Sequence, residues 1–307
     1  MHKQIYPLLM LFFYQFGQGQ ETTYGKTSII VDSIPFHLTK HNNISIKAIL
    51  NKTDTLQLMF HTATESVTLI EESVKKINSI IWNSEYDVKS WGGNTSTRYS
   101  ETNFIQIGKL KWDSIALWEN KNSGPKTDGK FGPNLFKGKV MEIDFDTNLI
   151  MLHTSLPSKT REYERLDLLN QDGNMFIVLE SIVGKKNYPN RFLIHSGYGG
   201  TILYDDEFVE NSKIGGALEV IEESQLKDSY GNILKTKKAI LPLLKIGSTE
   251  LKNIPIGFFE GTVSRQKMSV LGGGLLKRFN IIIDADRKHI YLKRNHLTNF
   301  EFSKKLN

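Results

Sequence analysis

The chain of 307 residues contains no cysteine. Disulfides and thiolate metal sites are therefore excluded, and a fold of this size must be held by its own core. For an exported protein, that absence favours a periplasmic setting over a disulfide-rich extracellular one. Basic residues outnumber acidic ones only modestly, for a net charge of +6, and are scattered apart from short groups such as Lys237-Lys238 and Lys304-Lys305. No strip interleaving aromatics with arginine is present, so no nucleic-acid partner is expected. Beyond the N-terminus no apolar run approaches the length needed to cross a bilayer, and no stable membrane insertion is expected. Gly197-Tyr198-Gly199-Gly200 leads into a strand-like run, and Gly272-Gly273-Gly274 lacks the Lys-Ser/Thr ending of a phosphate loop. Nucleotide-binding loops of both kinds are excluded on those grounds.

What is present begins with a leader-like N-terminus. Lys3, the apolar stretch from Ile5 to Phe13, and small residues at Gly17 and Gly19 predict a secretory signal peptide over residues 1–19. No cysteine lies near that cleavage region, which excludes a bacterial lipid anchor there. The expected location is periplasmic or secreted. Asn-x-Ser/Thr sequons stand at Asn43, Asn51 and Asn94 and carry meaning only outside bacteria.

The chain repeats itself. LMFHTATESVTLIEE (58–72) and FLIHSGYGGTILYDD (192–206) both place His, a hydroxyl residue and a small residue after three apolar positions. His61-Thr62-Ala63 matches His195-Ser196-Gly197, and Val67-Thr68-Leu69 is read against Thr201-Ile202-Leu203. Two further pairs follow in the same order at nearly constant separation. FIQIGKLKWDSIAL matches LLKIGSTELKNIPI through Gly108 and Gly247. FGPNLFKGKVMEIDFDTNLIML matches LGGGLLKRFNIIIDADRKHIYL through Gly132 and Gly272, Leu135 and Leu275, and Asp144 and Asp284. The expected organisation is a leader, an N-terminal lobe over 20–160, a polar linker over 161–174 and a C-terminal lobe over 175–307. Short runs of isoleucine, valine, threonine and phenylalanine predict strands, and Gly231-Asn232 predicts a hairpin turn. Helices are expected near 70–80, near 205–211 and as a turn at Leu275-Leu276-Lys277. The acidic pairs Glu71-Glu72 and Asp205-Asp206 suit helix N-termini, and for Asp205-Asp206 capping is preferred to a metal site.

In each repeat an apolar strand, a three-residue loop, a second apolar strand and a later apolar pair with glycine follow one another. This order, twice over, resembles the pepsin-like and retropepsin-like aspartic peptidases, whose loop reads Asp-[Ser/Thr]-Gly. Lys130-Phe131-Gly132 and Val270-Leu271-Gly272 look like the second element of that pattern. The resemblance covers nearly the whole chain after the leader. It implies an all-β, two-lobed acid-protease (pepsin-like) fold built by internal duplication, with few short helices. It also implies that Thr62 and Ser196 brace the two loops, that Gly197 keeps one loop glycine where Ala63 replaces the other, and that residues 90–108 form a flap carrying Trp91 or Tyr99.

The departure from the family falls on the catalytic positions. The family's two aspartates share a proton at the lobe interface; here His61 and His195 stand in both places. An imidazole offers at most one acceptor when neutral and none when protonated, so the ordinary aspartic mechanism is expected to fail. The leading expectation is a protein of the aspartyl-protease family that binds a peptide or partner in the interlobe cleft. One alternative is a hydrolase in which one histidine acts as base and the other as acid. Another is a metal site; it lacks a third ligand, since nothing ties Glu65 or Asp128 to the pair, and no cofactor is expected. His37, His41, His153, His289 and His296 are read as surface or satisfied core residues.

Overall fold

The computed structural model describes residues 28–90, 93–121, 126–227, 233–261 and 266–302. The chain is all-β and two-lobed, with three short α-helices among the described residues. The alternation that makes a half-buried strand is plain in Ile44–Leu50, where Ile44, Ile46, Ala48 and Leu50 all turn into the core. Phe279–Ile283 is buried along its full length and sits deep inside a sheet, where both faces are covered.

The described strands form one sheet of thirteen and one of eight. The larger sheet crosses the lobe boundary. Val140–Asp144 of the first lobe pairs antiparallel with Phe279–Ile283 of the second, with Glu142 directly opposite Ile282. The interval that carries Gly132 to Gly272 also carries Glu142 to Ile282. Equivalent strands therefore meet about equivalent residues, the self-complementary contact that two-fold symmetry generates. The repeat seen in sequence is thus built into the joint between the lobes.

Inside each lobe the same threading recurs. Asp54–Phe60 runs parallel to Gly129–Phe131, and Val67–Ile70 lies antiparallel on the far side of that short strand. In the second lobe Lys186–His195 runs parallel to Ser269–Gly272, with Ile202–Leu203 antiparallel beyond it. The ladder partners correct one detail of the sequence alignment. Val67 sits opposite Leu117 and Ile202 opposite Ile256, so Val67 corresponds to Ile202 and not to Thr201. The second loop is therefore one residue longer than the first.

Residues 161–174, expected as a linker, are structured. Glu164–Asp167 pairs with His289–Arg294 at the edge of the shared sheet, and Leu169–Gln171 pairs with Asn174–Val183. Leu168 is buried and Leu166 packs on the core, a contribution hidden by the polar residues around them. The helix expected near 70–80 is a single turn, Glu71–Val74, in which only Ser73 and Val74 are buried. A longer helix would lack the tertiary packing that sustains one, and Ser79 instead presents its carbonyl to the Asn51 side chain at 2.8 Å. The second helix, Asp206–Ser212, is capped by Asp205, which accepts from the Phe208 N–H at 2.7 Å; the third is Gly273–Leu276. The Gly231-Asn232 turn lies outside the described residues, but its flanking strands pair from Lys227↔Ile233 onward.

Candidate functional site

Each repeat delivers its histidine in the same way. A core strand ends at the lobe interface, and the short parallel strand beside it holds the loop from below. His61 N–H donates to the Phe131 carbonyl at 2.9 Å, and Gly272 N–H donates to the Thr201 carbonyl at 2.7 Å. Gly132 and Gly272 are needed here by close approach. A Cβ at Gly132 would collide with the Thr64 carbonyl, and one at Gly272 with the Gly200 carbonyl.

Thr62 and Ser196 cross-link the loops with a symmetric set of four hydrogen bonds. Thr62 N–H donates to Ser196 Oγ at 3.0 Å, and Ser196 N–H donates to Thr62 Oγ1 at 2.9 Å. Each hydroxyl then donates across the interface, Thr62 Oγ1 to the Ile194 carbonyl at 2.6 Å and Ser196 Oγ to the Phe60 carbonyl at 2.7 Å. All four residues are buried, so every donor and acceptor in the set depends on the others.

This bracing brings the two imidazoles together. Their ring centroids are 4.5 Å apart and the planes are tilted by 59°. On each ring Nδ1 accepts a backbone N–H: Ala63 donates to His61 at 3.2 Å, and Tyr198 donates to His195 at 2.9 Å. A nitrogen that accepts carries no proton, so with these contacts made a neutral ring holds its proton on Nε2. Burial, the neighbouring His195 ring and the Lys130 ammonium drive His61 down to about 3, against the pull of its own backbone carbonyl. His195 is also held below the ordinary histidine value, by burial and by Lys130, with its own carbonyl opposing.

The two rings are not equally placed. His61 is buried, whereas His195 is partly exposed. His61 lies across the opposite loop, where a Cβ on Gly197 would collide with its Cδ2–Nε2 edge. Gly197 therefore makes room for the larger side chain. Neither Nε2 has a protein partner among the described residues, and neither is among the atoms sealed from solvent.

Three further groups at the site were not legible as such in the sequence. Lys130 is half-buried, its pKa lowered by that burial, and its ammonium makes no hydrogen bond or ion pair among the described residues. Its signal was a charge inside a short apolar strand, where the second repeat has Val270. Asn43 is buried and donates through its amide to the Ser196 and Gly197 carbonyls at 2.9 and 3.1 Å. Asn42 donates to the Gly199 carbonyl at 2.7 Å and accepts from Lys277 Nζ at 2.8 Å. A turn of the first lobe thus pins the histidine loop of the second. Asn43 heads a sequon, but its amide is consumed in this contact.

Other residues singled out in the sequence lie elsewhere. Trp91 is outside the described residues. Tyr99 packs on Tyr86 and Trp118 at 5.8 and 4.6 Å between centroids, where Ser84–Ser90 pairs with Gly93–Ile107. Asp128 accepts from Gln57 N–H and Ser73 Oγ, both at 2.7 Å, and the Glu65 carboxylate lies against Gly173. Three of the remaining histidines meet carboxylates: His153 with Glu142, His289 with Asp284 and His296 with Asp146. His37 is exposed and His41 half-buried. Among the described residues no group of three or more His, Asp or Glu side chains is arranged to hold a metal. No described helix is long and apolar enough to cross a membrane. No protein-family model matches the chain, and no curated protein matches it in sequence.

Proposed function

We propose that this chain is a peptide- or partner-binding relative of the aspartic peptidases, exported from the cell, which holds an extended segment between its lobes without cleaving it. One observation carries the reading. Both histidines, which the resemblance sets at the family's aspartate positions, spend Nδ1 on a backbone N–H. With Nδ1 so engaged, a neutral ring offers Nε2 as a donor and leaves no base. A water molecule above the pair finds nothing to take its proton, so the first step of dyad hydrolysis has no acceptor.

The two rival readings face the same obstacle. A histidine dyad or an Nε2-bound metal needs an unprotonated Nε2, with the proton moved to Nδ1. That would set a ring N–H against the Ala63 or Tyr198 N–H, whereas metal-bound histidines normally point that second N–H at an acceptor. Binding has no such requirement. An extended chain supplies backbone carbonyls, which two N–H donors can receive, and strand-like pairing along a groove adds the rest.

The test uses a random peptide library incubated with the native protein and with His61→Asn/His195→Asn, from pH 4 to 8, analysed by mass spectrometry. Asparagine keeps an oxygen for the backbone N–H and a donor for the groove. The expected result is no cleavage by either protein, with a subset of peptides retained by the native one. Cleavage by the native protein that disappears in the variant would overturn the proposal and establish a histidine dyad.

A further inference from the structure

We infer that the histidine apex, together with Lys130, recognises a carboxylate on the bound segment; this rests on the groove-binding reading and names the chemistry it selects. The two imidazoles face each other, and Lys130 pairs in register with Met59, two residues before His61. The Nε2 atoms of two rings 4.5 Å apart lack protein partners and remain open to solvent. The Lys130 side chain, on the short strand directly beneath the His61 loop, is half-buried and unpaired among the described residues. The carboxylates nearest in sequence are engaged elsewhere, Asp128 by Gln57 and Ser73 and Glu65 against Gly173.

The Lys130 ammonium has no counter-ion among the described residues, and burial disfavours its charged form, so an anion beside it would be favoured. The two imidazoles cannot supply it, since they are neutral donors. A monoanion with two acceptor oxygens satisfies all three groups, and a carboxylate is the form in which a peptide carries one. A backbone carbonyl would meet the imidazoles but leave Lys130 unanswered. The asymmetry between the repeats fits: Val270 takes the place of Lys130 in the second repeat, so this pair of equivalent positions supplies one cation and calls for one negative charge.

Such a carboxylate has two sources, the C-terminus of a peptide or an internal Asp or Glu side chain. The first experiment is independent of both. Protein labelled with 15N-histidine is titrated with sodium acetate, and separately with sodium chloride at equal ionic strength, at pH 7.5. Acetate is expected to shift both Nε2 resonances saturably while chloride does not. Lys130→Met should weaken acetate binding about tenfold, in line with loss of a charge-assisted hydrogen bond. Lys130→Arg should retain most of it, which guards against a merely misfolded variant. Absence of an acetate response, or an unchanged affinity in Lys130→Met, would overturn the inference.

The second experiment compares hexapeptide libraries with free and amidated C-termini, and amidated libraries with a fixed central Glu or Gln. Preference for free termini assigns the C-terminal carboxylate; preference for Glu over Gln assigns the side chain. If all four libraries bind equally, the inference fails while groove binding stands. If none binds yet acetate does, the carboxylate site stands and the peptide reading fails.

Discussion

Thr62→Val tests whether the cross-lobe hydroxyls hold the two loops together. The substitution keeps the shape of the side chain and removes one oxygen. That oxygen donates to the Ile194 carbonyl at 2.6 Å and accepts from Ser196 N–H at 2.9 Å, at a residue only 2% exposed. Two hydrogen bonds are lost, worth about 1 kcal/mol each, and the stranded Ser196 N–H and Ile194 carbonyl add about 1–3 kcal/mol because water cannot reach them. The expected loss is about 3–5 kcal/mol. Urea unfolding followed by far-ultraviolet circular dichroism should show a lower midpoint with an unchanged slope. Ser196→Ala strands the mirror-image pair, Thr62 N–H and the Phe60 carbonyl, and should cost a similar amount. The two halves share one interface, so the double variant should show a coupling of about 0.5 kcal/mol or more. Ser66→Ala, at an exposed position in the same loop, serves as the control. A loss in Thr62→Val of less than about 0.5 kcal/mol, the usual range for surface changes, would refute the reasoning. The loops would then be held by the shared sheet alone.

Three further outcomes follow from the same geometry. Gly197→Ala should cost about 1–3 kcal/mol by overpacking against the His61 ring, and calorimetry should show most of that cost removed in a His61→Gly background. His61 is lowered from 6.5 to about 3, so the unfolded chain binds its proton first; the associated stability is complete above the unfolded value and is lost as pH falls toward 3. His61→Asn should flatten that part of the stability–pH curve, as urea midpoints across pH would report. Burial by itself would raise Glu142, but hydrogen bonds from His153 and Lys159 hold it below the ordinary carboxylate value, so its contribution is present at neutral pH and lost as acid protonates it. Glu142→Gln should cost about 3 kcal/mol at pH 7, the scale for breaking a buried pair, and lose that penalty in acid, as urea midpoints across pH would report.

The shared sheet shows how far local pattern reaches. Runs such as FNIII at 279–283 announce a strand by composition, but not that Ile282 will face Glu142 of the other repeat. That pairing joins residues far apart in the chain, and only the closed fold selects it. The strands at 164–171 are not legible in the sequence because three leucines among polar and charged residues carry too little periodicity to register. The one-residue difference between the loops was equally hidden, since Thr201 and Ile202 both suit a strand; hydrogen-bond register decided between them.

The sequence by itself determined that this is a duplicated, cysteine-free β-protein whose two equivalent loops end in histidine, because strand propensity and repetition are properties of residue order. Only the tertiary structure decided what those histidines can do. The 4.5 Å approach of the rings, the backbone N–H on each Nδ1, and the unpaired charge of Lys130 all arise from atoms that are distant in sequence. Protonation follows from what faces each nitrogen, and that is settled by packing between the lobes.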